Sequence, residues 1–287
     1  MFRLLLSTML IGFMATTAAA DSLFAVAVTP APVLNRADFR SVFGGDDGRT
    51  LLADNCGQLR AVEFVALPGT VFTVEQTIEG RSGVVYRVTS NDYPYPSAGG
   101  YFVDARAVRL SPERPAERAR RLPPQETILA TMESRVGSRY VWGGNVAGGV
   151  PGLSEWYPPS GAVDKALWQL SGVDCSGLLY EATAGSTPRN TSSLVGFGRP
   201  VAVAGRSAAE LAALLQPLDL IVWPGHVMIV IGGGRVIESR LDCQNPHAGV
   251  RIRPLKTALT GIMQKRKPVD AIGNGAKEFV VRRWYGF

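Results

Sequence analysis

Histidine and cysteine are scarce in this chain: 287 residues contain two histidines and three cysteines. Cys56, Cys175 and Cys243 lie far apart and have none of the short ligand spacings of a zinc site, so neither a metal nor another cofactor is expected. There is no internal repeat, no low-complexity tract and no phosphate-binding glycine loop. "GGNVAGG" lacks the Lys-Ser/Thr pair that a P-loop needs to hold phosphate and cation. No stripe of basic residues interleaved with aromatics argues for nucleic acid, and no nucleic-acid partner is expected. Beyond residue 20 no apolar run is long enough to span a bilayer. With 46% hydrophobic and 19% charged residues, disorder is excluded as well. The formal charge of +6 is spread along the chain. It suits an anionic partner such as cell-wall polymer or a membrane surface, and equally an ordinary basic surface.

The first twenty residues read as a secretory signal peptide. "MFR" is a short basic start, "LLLSTMLIGFM" an apolar run, and "ATTAAA" a small-residue end, with cleavage expected after Ala20. An uncleaved anchor is the alternative. The mature chain is expected to be soluble and exported, to periplasm or medium, and monomeric. Export lets disulfides persist. Two independent buried thiols are the default expectation for Cys56 and Cys243. If Cys175 works as a thiolate, those two are the only pair that can form a disulfide.

Two regions with a connector follow. Residues 21–110 carry short runs rich in Val, Phe and Thr ("AVEFVAL", "TVFTVEQTI", "GVVYRVTS", "YFVDARAVRL") punctuated by Gly and Pro, which suggests a small all-β barrel. Residues 111–124, "SPERPAERARRLPP", read as a linker. Residues 125–287 have another rhythm. "ETILATMESRVG" has helical periodicity up to Gly137, "SGLLYEATA" and "SAAELAALL" read as helices, and "DLIVWPGHVMIVIGGGRVIES" reads as a strand, a glycine turn and a strand.

The chemistry concentrates in this second region. A cysteine nucleophile needs a base, usually histidine, and the candidates are His226 and His247. Suppose Gly232–Gly234 form a three-residue turn. Ile231 then pairs with Arg235 and Met228 with Glu238, which makes His226 and Glu238 diagonal neighbours on one face. A two-residue turn without a bulge would send Glu238 to the opposite face. In the favoured register Glu238 accepts the Nδ1 proton of His226 and leaves Nε2 for the thiol. Cys175 opens a helix, whose free N–H groups and positive end should lower its pKa. Residue types and spacing alone leave catalytic and structural readings of Cys175 open.

"YVWGGN", "GVDCSGLLYEAT", "PRNTSS" and "PLDLIVWPGHVMIVIGGGRVIES", in that order over about 125–245, resemble the NlpC/p-sixty family of bacterial cell-wall cysteine peptidases. The resemblance implies an α+β, papain-like catalytic domain over 125–287, preceded by a small all-β SH3-like barrel over 21–110. It implies Cys175 as nucleophile, His226 as base, and Glu238 in the orienting position, where the family more often has histidine. Tyr140 falls on the family tyrosine whose hydroxyl lies near the oxyanion. Asp174 and Ser176 fall at substrate-contacting positions. Arg189 is a candidate for a substrate carboxylate or for a structural ion pair. Asp92, Tyr93 and Tyr95, in "NDYPYP", are candidates for a barrel wall that restricts the site to stem peptides with a free N-terminal alanine, or for a packed turn. The segment between Asn145 and Asp174 is longer than expected for the family. Its aromatics, Trp156, Tyr157 and Trp168, would either wall the cleft or pack a surface loop.

The implied reaction is hydrolysis of the γ-D-glutamyl–diamino-acid (diaminopimelate) bond in peptidoglycan stem peptides or muropeptides, through a thioester. The alternatives are N-acetylmuramoyl-L-alanine amidase action by the same triad, and a non-catalytic wall-binding protein.

Overall fold

The computed structural model describes residues 23–80, 83–245, 248–273 and 277–286. The predicted signal peptide and His247 lie outside them. The N-terminal region is an antiparallel sheet of seven strands: β1 (Leu23–Ala27), β2 (Ala31–Leu34), β3 (Val62–Ala66), β4 (Val71–Gly80), β5 (Gly83–Thr89), β6 (Tyr101–Asp104) and β7 (Val108–Ser111), in the order β3-β2-β6-β5-β4-β1-β7. β1 and β2 escape sequence reading because they are short. Every residue of β2 is also buried, so it shows no alternation. The run 101–110 is not one strand. Asp104 caps a 3-10 turn at Ala105–Ala107 by accepting from the Arg106 N–H at 2.9 Å, and this breaks the run into β6 and β7.

The second region is mixed α/β. A sheet runs β8 (Arg199–Pro200), β13 (Glu278–Arg283), β9 (Leu220–Trp223), β10 (His226–Gly232), β11 (Arg235–Ser239), β12 (Val250–Pro254), and the short strand Lys267–Pro268 is added in parallel beside β13. Helices cover both faces. Val227, Ile229 and Ile231 point toward α1 (Gln125–Glu133) and α2 (Cys175–Ala182); Met228 and Val230 point toward α3 (Ala208–Leu214) and α4 (Leu255–Met263). α1 ends at Glu133, four residues before Gly137, and a run of turns carries the chain on. The 219–239 segment has three strands, not two. Pro224 and Gly225, the latter at φ +102°, make a turn of their own, so Trp223 pairs with His226. The next turn is the two-residue loop Gly233-Gly234, both at positive φ, between paired Gly232 and Arg235. A bulge between Val230 and Gly232 absorbs the extra residue. Val230 thus pairs with Val236 and Ile229 with Ile237, and extending this register sets Met228 beside Glu238. That outcome matches the expected register, reached by a different turn.

The two regions share a core. Leu34, Phe39, Phe43, Val62 and Val65 pack with Val141, Val150, Leu153, Tyr157 and Trp168. Tyr157 and Trp168 are buried there, Tyr157 donating to Asp104 at 2.5 Å, so these two aromatics neither line the spaces beside Cys175 and His226 nor pack a free surface loop. The Asn145 side chain bonds the N–H and the C=O of Val65 at 2.9 and 2.8 Å, so it docks like a strand neighbour. The connector is pinned as well. Arg118 pairs with Asp92 at 2.7 Å and donates to the carbonyls of Ala184 and Gly185. The default of two independent thiols is overturned, because Cys56 and Cys243 form a disulfide with Cα atoms 4.7 Å apart. Among the described residues no helix is long and apolar enough to cross a membrane.

Candidate active site

Cys175 is the first residue of α2 and the one free cysteine. Asp174 caps the helix, its Oδ1 accepting from the Gly177 N–H at 2.7 Å, which leaves the N–H groups of Cys175 and Ser176 without helical partners. Gly177 is needed for close approach: a Cβ there would lie 2.0 Å from the Gly144 carbonyl oxygen. Cys175 is only 5% exposed. Burial, with the Asp174 carboxylate adding to it, pushes its thiol pKa up to about 12 against the pull of the Val227 N–H, Arg189 and the Ser176 N–H. The expected lowering by the helix start is therefore corrected: desolvation outweighs it.

His226 opens β10, and its ring nitrogen Nε2 lies 2.8 Å from Oε2 of Glu238. The pairing with Glu238 was anticipated, but through the other nitrogen. Glu238 is wholly buried, and burial by itself would raise its pKa. The His226 bond and the Arg251 charge override that and bring it to about 2. An ionised carboxylate only accepts, so Nε2 is the donor of this bond and Nδ1 is the ring nitrogen that Glu238 leaves free. Arg251 (3.0 and 3.1 Å) and Arg253 (3.3 Å) also donate to Glu238. No hydrogen bond joins the Cys175 thiol to the His226 ring among the described residues. The two side chains instead line adjoining parts of one cleft: a chamber of about 250 Å³ with Cys175 and a groove of about 600 Å³ with His226. Tyr140, Trp142 and Gly225 line both. Burial, then the Asp174 charge, raises the Tyr140 pKa, so its hydroxyl stays a donor.

Several predicted contacts look inward. Arg189 is 2% exposed and uses all five N–H donors: Nε on Asn145 (3.1 Å), Nη1 on Asp174 (3.0 Å) and Ser176 (2.9 Å), Nη2 on Gly144 (3.2 Å) and Asp174 (2.6 Å). It is the structural ion pair, with no donor left for a substrate carboxylate. Asp174 and Ser176 reach the chamber, but their polar atoms are engaged in this network. Asp92 does not line the chamber; it is buried against Thr70, Arg118 and Arg120. Tyr93 does line it, stacked on Phe64 and donating to Glu63 at 3.0 Å. Tyr95 accepts from the Asn190 N–H at 3.1 Å. Sequence reading missed Glu63 and Trp142. Glu63 is the single carboxylate in the otherwise apolar strand β3, which was its available signal. Trp142 is held by Gln58, which accepts its N–H at 2.9 Å, and by Arg60 lying 4.0 Å over its ring. No three His, Cys, Asp or Glu side chains converge as a metal site among the described residues.

No family model and no curated protein matches the chain. Its structural neighbours are NlpC/P60 family proteins. One, from Bacillus cereus, is 17% identical with a TM-score of 0.35, covering 93% of this chain and 64% of that one. The peptidoglycan hydrolase RipB of Mycobacterium tuberculosis is 23% identical with a TM-score of 0.34, covering 57% and 65%. RipD of the same organism, described as a non-catalytic NlpC/p60 domain protein adapted to peptidoglycan binding, is 18% identical with a TM-score of 0.31, covering 55% and 95%. The chain spans less than two thirds of the length of the first two.

Proposed function

We propose that this chain is an exported cysteine peptidase that hydrolyses the γ-D-glutamyl–diamino-acid bond of peptidoglycan stem peptides. The observation that carries the reading is one cleft in which a buried thiol at a helix start and a histidine anchored to a carboxylate meet across Tyr140. The thiol rests protonated, so His226 Nδ1 takes its proton as sulfur attacks the γ-carbonyl carbon of D-Glu. Such contacts commonly tighten when substrate binds. The Cys175 N–H and Tyr140 hydroxyl steady the oxyanion. The imidazolium returns its proton to the leaving amine as the C–N bond breaks. Water, deprotonated by His226, then attacks the thioester and releases the thiol. Glu238 keeps the ring turned through both steps.

The N-terminal sheet supplies Glu63 and Tyr93 to the Cys175 chamber. A carboxylate there suits the free ammonium of an N-terminal alanine, and a chamber of about 250 Å³ suits a dipeptide better than a glycan strand. In this reading the sheet takes the part of the SH3-like barrel. A disulfide fits an oxidising compartment outside the cytoplasm.

The test is digestion of defined muropeptides, read by mass spectrometry, with Cys175→Ala as control. Release of L-Ala-γ-D-Glu supports the peptidase. Free stem peptide would move the assignment to the amidase. Wall binding without any product would make this a binding protein.

A further inference from the structure

The charges along the cleft are sorted. The chamber holding Cys175 is lined by two carboxylates, Glu63 and Asp174, and Arg189 cancels the second. The groove holding His226 is lined by Arg240, Arg253, Lys265 and Arg266 and by no carboxylate. Arg253 is spent on Glu238, and Arg266 lies 4.9 Å over the Trp223 ring. Arg240 and Lys265 are exposed and have no ion-pair partner among the described residues. A wall of like charge beside two tryptophans focuses positive potential into the groove.

The direction of the substrate follows from the proposed reaction, on which this inference rests. The acyl portion lies on the thiol side, and the leaving amine must lie where His226 can protonate it, in the basic groove. We propose that this groove is a carboxylate subsite for the amine portion of the substrate, with Arg240 and Lys265 as its recognition groups. The cleft would then select a dipolar peptide with an ammonium on the acyl side and carboxylates on the leaving side. A diamino acid that carries its own carboxylates meets this requirement; its carboxamide does not. The residues are specificity determinants and take no part in bond breaking.

The test compares L-Ala-γ-D-Glu-diaminopimelate with the same peptide bearing carboxamides on the diamino acid. The expected kcat/KM ratio is about tenfold in favour of the acid, equivalent to about 1.4 kcal/mol. It should fall toward one in the Arg240→Gln/Lys265→Gln double variant, mainly through KM. A ratio of one in the wild type, or an undiminished ratio in the double variant, overturns the subsite and leaves the peptidase standing. In parallel, free diaminopimelate and its bis-amide are titrated against Cys175→Ala protein, followed by the fluorescence of Trp142 and Trp223 in the groove. Acid-selective binding lost with Arg240 and Lys265 supports the subsite even if neither peptide is cleaved, a result that would sink the hydrolase alone. Equal binding of acid and amide overturns the subsite.

Discussion

Replacing Cys56 and Cys243 together by serine tests how the two regions are held. The bridge spans 187 residues of sequence. Closing a loop of that size removes unfolded-chain entropy equivalent to about 5 kcal/mol at 25 °C. Residual structure in the unfolded chain lowers that ceiling, and a loss of about 3–5 kcal/mol is expected. Both positions are at least partly exposed, so serine adds no core cavity to the account. In urea the midpoint should fall by about 1–2 M, and wild type kept in reductant should fall as far. A thiol count on the unfolded, unreduced protein completes the assay, with one reactive group expected, that of Cys175. Three reactive thiols would refute the bridge. A midpoint shift below about 0.3 M with the bridge intact would refute the entropy argument.

Three further outcomes are expected. Alkylation of Cys175 by iodoacetamide in the free protein should be slow at neutral pH and climb without a plateau through pH 9, because burial pushes the thiol up to about 12; a plateau below pH 7 would mean a preformed thiolate. Gly177→Ala should cost at least about 2–3 kcal/mol in thermal or urea unfolding, since the added methyl would meet the Gly144 carbonyl at 2.0 Å, and an unchanged melting temperature would contradict the close packing of α2. Glu238 has a folded pKa near 2 against an ordinary 4.5, so its contribution is present above pH 4.5 and lost as pH falls from 4.5 to 2. It amounts to roughly 3 kcal/mol, and Glu238→Gln should flatten that part of the acid-unfolding curve; an unaltered curve would show that Glu238 is not held ionised.

What could be read in the sequence depended on how local each feature is. The His226–Glu238 neighbourhood follows from a period of two and a hairpin, both written in 226–239. Which ring nitrogen meets Glu238 depends on a side-chain rotation, which no periodicity encodes. Asp92 reads as a wall residue or part of a packed turn, and Arg189 as a carboxylate ligand or an ion pair, because their partners come from elsewhere: Arg118 and Arg120 for one, Asp174 and Asn145 for the other. Glu63 contributes to the chamber from a strand about a hundred residues before Cys175, and the bridge joins cysteines 187 residues apart. The effect of burial on the Cys175 thiol was likewise hidden, since the helix start is local and the desolvation is not.

The core shared between the N-terminal sheet and the 141–170 segment bears on modularity. Tyr157, Trp168, Val150 and Leu153 are buried against side chains that the first hundred residues supply. Cut away from those residues, the remainder would present a fresh greasy face to water and be prone to stick to itself. Grafting this C-terminal half onto a different targeting module would therefore mean carrying its companion sheet along, and gene fusions are better made at the chain's ends than at its proline-rich connector.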